Sequence, residues 1–117
     1  MAAPNIVSLT TITGKTAVQA VGTSATAIVT NSGSSGKVFK VNALYVANVD
    51  GTNAADITVD LFRSSTAYPI ASTVQVPADA LLDLMSKAIY LEEGDSLRCT
   101  ASASGDLTAV CSYEEIS

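Results

Sequence analysis

Few side chains in this 117-residue sequence are able to do chemistry. There is no histidine, so no imidazole can act as a base or as a metal ligand. The two cysteines, Cys99 and Cys111, would need two carboxylates to complete a structural zinc site, a rare donor set. Most of the acidic residues fall in four groups: Asp50/Asp56, Asp79/Asp83, Glu92/Glu93/Asp95 and Glu114/Glu115. They are hard oxygen donors, but no group has the spacing of a calcium loop. A glycosidase requires two opposed carboxylates, one of them in a pocket that raises its pKa. The acids here sit beside turns or on polar faces, where nothing is expected to perturb them. A hydrolase built on Glu92 and Asp95 is therefore a reading with little support.

Two short motifs fail on context. Gly14-Lys15-Thr16 has the look of the end of a phosphate-binding loop, but the glycine required five residues earlier is Leu9. No long helix follows whose N-terminus could meet a phosphate. Gly33-Ser34-Ser35-Gly36 lacks the spacing of a nucleophile elbow and has no histidine to activate a serine, so it reads as a flexible loop. Among the aromatic residues, Phe62 and Tyr68 are the ones expected at the surface, where such rings could form a platform for a glycan.

The elements that must carry these residues follow from composition and period. Hydrophobic residues make up 48% and charged residues 15%, which excludes a disordered chain, and the length fits one domain. Six basic residues against eleven acidic ones give a net charge of −5, a poor balance for a phosphate backbone. Nucleic acid is thus not an expected partner, nor is any cofactor. No basic leader and no run of about 20 apolar residues occurs, so a soluble protein made in a cytosol, without a membrane partner, is expected.

Val, Ile and Thr are abundant, and short alternating runs separated by turn clusters recur about every dozen residues. The candidate strands are Asn5–Ile12, Ala25–Thr30, Lys37–Asn48, Asp56–Arg63, Tyr68–Val76, Leu81–Leu84, Lys87–Leu91, Ser96–Ala103 and Leu107–Glu114. Thr13-Gly14-Lys15 is read as a turn, and Asp79–Met85 could instead be one helical turn capped by Asp79. The expected fold is an all-β antiparallel sandwich of about eight short strands, jelly-roll or immunoglobulin-like. Residues 1–13 form an N-terminal arm or a first strand, and residues 14–117 the sandwich.

Parity predicts that the last two strands form a hairpin through Ser104-Gly105-Asp106, with Cys99 opposite Cys111 on the core side. That spacing permits a disulfide, but a cytosolic setting favours two buried free thiols. Lys37–Asn48 has an irregular pattern. Phe39, Val41, Ala43, Tyr45 and Ala47 share one side, while Leu44 and Val46 lie on the other. Such a strand is either covered on both faces or meets another subunit.

Two stretches carry a family resemblance. One runs from Thr13-Gly14-Lys15-Thr16-Ala17 through Ala25-Thr26-Ala27-Ile28-Val29-Thr30-Asn31 to Val49-Asp50-Gly51-Thr52-Asn53-Ala54-Ala55-Asp56-Ile57-Thr58-Val59. The other is Ile89-Tyr90-Leu91-Glu92-Glu93-Gly94-Asp95-Ser96-Leu97, then Thr100-Ala101-Ser102-Ala103 and the closing Cys111-Ser112-Tyr113-Glu114-Glu115-Ile116. Together they resemble the small virion structural proteins of tailed phages, especially marine phages of cyanobacteria. The resemblance implies a non-enzymatic β-sandwich protein of the virion. Capsid decoration is the leading use, with the protein on the outer surface of the shell and the major capsid protein as its partner. It also suggests a homo-oligomer, with a closed trimer favoured. Ile6, Val7, Leu9 and Ile12 are then the candidate arm contacts. The alternative is a tail, collar or fibre component that binds a receptor or glycan through Phe62 and Tyr68.

Overall fold

The computed structural model describes residues 10–117. Among the described residues, nine antiparallel strands fill two sheets packed face to face: β1 (Ile12–Ala20), β2 (Thr26–Thr30), β3 (Val38–Asn48), β4 (Ala55–Arg63), β5 (Thr66–Val76), β6 (Leu81–Asp83), β7 (Ile89–Leu91), β8 (Ser96–Ala101) and β9 (Leu107–Ile116). The first sheet has the order β1-β9-β3-β6, with β7 also paired to β3, and the second has the order β2-β8-β4-β5. The protein is a β-sandwich. Its core forms where alternate residues of the two sheets interdigitate, including Leu44, Val46, Ala109 and Cys111 from one and Ile57, Val59, Leu97 and Cys99 from the other. Leu81–Asp83 is a strand, not part of a helical turn.

The irregular pattern of the third strand has a local cause. Val41 pairs with Tyr113 and Ala43 with Ser112, so Asn42 is an extra residue with no counterpart on β9. This β-bulge reverses the strand's parity. Before it Phe39 and Val41 point inward; after it Leu44, Val46 and Asn48 do, and Ala43, Tyr45 and Ala47 turn outward. The bulge thus accounts for the two-sided apolar pattern of the strand.

Two expectations are corrected. Thr13-Gly14-Lys15 is not a turn but the interior of β1, which pairs residue by residue with β9 from Ile12–Ile116 to Ala20–Thr108. Gly14 takes no left-handed conformation there, and Lys15 is held in line by Glu115, its ammonium 2.8 Å from Oε2. Because β1 is an edge strand, most of its residues remain exposed and its burial pattern is weak. β1 runs across residues 13 and 14, whereas the expected strand Asn5–Ile12 lies mainly outside the described residues.

The second correction concerns β8 and β9. They form no hairpin: β8 lies between β2 and β4, and β9 lies between β1 and β3 in the opposite sheet. The connection crosses from one layer to the other, with Gly105 at a positive φ of 84°. Alternation alone misleads here, because strands facing each other across a core carry the same inward pattern as two strands of a hairpin. Cys99 and Cys111 therefore belong to opposed sheets, and both are buried free thiols.

Candidate interaction surfaces

The chemistry-bearing residues are mostly engaged with one another. On the outer face of the second sheet Asp60 is only 5% exposed, and it accepts hydrogen bonds from Arg98 Nε at 2.8 Å and Nη2 at 3.2 Å. The same guanidinium lies 4.0 Å from the centre of the Phe62 ring. Close by, Asp95 is 2% exposed and accepts from Arg63 Nε at 2.8 Å and from the Glu92 N–H at 2.8 Å. Arg63 Nη2 also reaches Glu92, at 2.9 Å. Burial alone would raise the Asp95 pKa, but the Arg63 bonds and the Glu92 N–H outweigh it and hold the carboxyl below its ordinary range. Glu92 and Asp95 thus share one cation, Arg63.

Sequence reasoning missed these two clusters, because the strand adjacency that joins Asp60 to Arg98 is not visible in a single chain of letters. It also treated the acids as unperturbed. Glu115 is lowered by its hydrogen bonds to Lys15 and Lys37, and Asp50 by the N–H groups of Thr52 and Asn53. Desolvation pushes the Cys99 thiol up to about 12 and the Cys111 thiol to about 11, so neither is a nucleophile at neutral pH. Among the described residues, no three His, Cys, Asp or Glu side chains converge as a metal site would require, and no helix is long and apolar enough to cross a membrane.

Two buried asparagines pin the ends of the sandwich. Asn31 donates from its amide nitrogen to the carbonyls of Lys37 at 2.9 Å and Leu91 at 3.0 Å, tying a loop to β7. Asn48 does the same for the carbonyls of Asn53 and Val76. Buried amides of this kind fix loop geometry because leaving such carbonyls without a partner is costly.

The candidate contact residues are dispersed. Leu61 pairs with Tyr68 and Phe62 with Ala67, so Phe62 and Tyr68 project from opposite faces of the β4–β5 ribbon. Tyr68 is 54% exposed, whereas Phe62 is half-buried beside Arg98. Ile12 is exposed at the start of β1. Ile6, Val7 and Leu9 lie outside the described residues.

Uncovered surface is of three kinds. The outer face of the first sheet carries an uncharged band in register across its strands, Val18, Val110 and Tyr45 in one row and Ala20, Thr108, Ala47 and Leu81 in the next, and Asp83 of β6 borders the first row beside Tyr45. Val18 is 71% and Leu81 61% exposed. A cleft of about 270 Å³ opens between β5 and the β6–β7 connection, lined by Ile70, Leu84, Met85, Lys87 and Ile89. The edges of the two sheets make up the third. No protein-family model matches the chain, and no curated protein matches it significantly.

Proposed function

We propose that this chain is a non-enzymatic virion structural protein, a capsid decoration protein that binds the major capsid protein on the outer surface of the shell as a homo-oligomer. The observation that carries the reading is the distribution of uncovered surface: a stiff sandwich whose buried charges are paired internally, while an uncharged band of one sheet and the regular edge at β1 stay open. Such a body suits contact by shape and strand addition rather than turnover. The sequence resemblance supplies the particle. The net charge of −5 suits an outer position better than one facing packaged DNA. In this reading the segment before β1 adds to a neighbouring capsid subunit through Ile6, Val7 and Leu9, beside Ile12, whose side chain is exposed where β1 begins.

The test is quantitative peptide mass spectrometry of purified virions, counting this chain against the major capsid protein. A ratio close to that of the capsid protein is expected. A ratio far below it moves the protein to the tail or collar, and absence from the particle overturns the proposal. Deleting residues 1–9, which leaves β1 intact, should abolish binding to capsids; retained binding removes the arm from the mechanism.

A further inference from the structure

An edge strand exposes a row of unpaired N–H and C=O groups, and proteins usually blunt such rows. Among the described residues, three of the four edges of the sandwich are blunted. β6 and β7 are three residues each. β2 has five residues with a bulge at Ile28, and Gln19 Nε2 donates to the Ala27 carbonyl beside it. β5 contains Pro69, which has no N–H, and two bulges against β4, at Ile70 and at Thr73, where φ is 53°. β1 has none of these devices. Its nine residues pair with β9 without a register shift, contain no proline and include a single charge, Lys15, which is engaged by Glu115.

We infer that β1 is the self-association edge of this protein, pairing antiparallel with β1 of a second copy about a two-fold axis at Thr16. The occupant is argued from the strand itself. Centring the pair on Thr16 sets it opposite Thr16 of the second copy, Gly14 opposite Val18 and Ile12 opposite Ala20. Each outward pair then joins a large residue to a small one or two threonines, so no two large side chains collide and the central threonines meet as a favourable cross-strand pair. Lys15 falls opposite Ala17, so no like charges oppose one another. Two copies of a chain with net charge −5 can meet here without opposing carboxylates, because β1 has none. Pairing doubles the first sheet and joins the uncharged bands of both copies into one surface. This inference does not rest on the virion reading, and its two-fold symmetry departs from the trimer that the family resemblance implies.

The test is sedimentation of the full chain between about 1 µM and about 1 mM, a range wide enough to populate a weak dimer. A concentration-dependent dimer is expected. Thr16→Lys and Thr16→Glu should each be monomeric, because each sets like charges opposite one another on the axis. An equimolar mixture of the two should dimerise again. Hydrogen exchange of the unaltered protein gives a second readout, independent of whether the variants fold: β1 amides directed away from β9 should gain protection as concentration rises. A wild-type monomer throughout, a trimer, a dimeric Thr16→Lys variant, a mixture that stays monomeric, or no gain in protection overturns the inference.

Discussion

The two sheets solve the same problem differently. The second sheet fixes its charges in pairs: Asp60 lies buried against Arg98 on the outer face, Asp95 is buried against Arg63 where β4 ends beside the start of β8, and the free edge at β5 is broken by Pro69 and two bulges. The first sheet has an uncharged outer band and a regular free edge at β1, and its one bulge lies inside β3, at Asn42. Position decides what a bulge does. At an edge it disrupts the template for another strand; within a central strand it selects which residues enter the core. The second sheet is therefore finished as a monomer surface, whereas the first keeps a surface suited to partners.

The largest expected effect comes from the core residues that the internal bulge turns inward. Replacing both Leu44 and Val46, fully buried on the inner side of β3 beyond the bulge, by alanine empties two core positions at once. Losing the burial of two large aliphatic side chains, with the cavities left behind, costs on the order of 5 kcal/mol or more, comparable to the whole stability of a small domain. The variant should show no cooperative thermal transition; a Tm near that of the parent would refute the parity account.

The difference between the outer faces predicts a smaller but still sharp contrast. Arg98→Ala leaves the Asp60 carboxylate buried without its partner and strips the cation from Phe62, at a cost of about 3 kcal/mol. Val110→Ala, on the half-buried band of the first sheet, should cost under about 1 kcal/mol. Urea titration of both variants measures the gap. Equal costs would mean that the ion pair is ornamental.

Acid should act on the second sheet in the same sense. The Asp95 pKa is depressed in the folded state, so its contribution is complete above the ordinary carboxylate pKa, near 4, and is lost as pH falls through the depressed value. Arg63→Met should cost about 2 kcal/mol at neutral pH, discounted from a fully buried pair because the Arg63 side chain is 41% exposed. The deficit relative to wild type should shrink below about pH 4, as Asp95 protonates in the parent. A deficit independent of pH would assign the loss to packing.

Much of the fold is legible in the sequence, because β4, β8 and β9 alternate clearly and clusters of Gly, Asp, Asn or Ser separate most of the candidate strands. β1 is not, since an edge strand buries little and its Gly14-Lys15 pair imitates a turn. Nor is the crossing between β8 and β9, because parity records which side is apolar and not which sheet supplies the neighbour. The ion-paired clusters are hidden for the same reason: Asp60 and Arg98 are 38 residues apart and meet only once β4 lies beside β8. The uncharged band depends on the bulge at Asn42, since without the parity reversal Tyr45 and Ala47 would be assigned to the core. What a single sequence shows is period; what it conceals is adjacency.

The smallest expected effect on stability tests the edges directly. Pro69→Thr restores an N–H to β5 at an exposed position and removes one of its defences while leaving the bulges at Ile70 and Thr73. Its cost to folding should stay within about 1 kcal/mol, because proline's restriction of the unfolded chain is lost while threonine suits a strand. Association is the informative readout. With two bulges still twisting the strand, Pro69→Thr should leave the sedimentation profile of the parent unchanged. Removing Ile70 and Thr73 as well should straighten β5 and add a second self-pairing edge, seen as species larger than a dimer. If Pro69→Thr alone produces those species, the proline and not the backbone irregularity guards this edge. β1, which lacks both devices, would then owe its openness to the absence of proline alone.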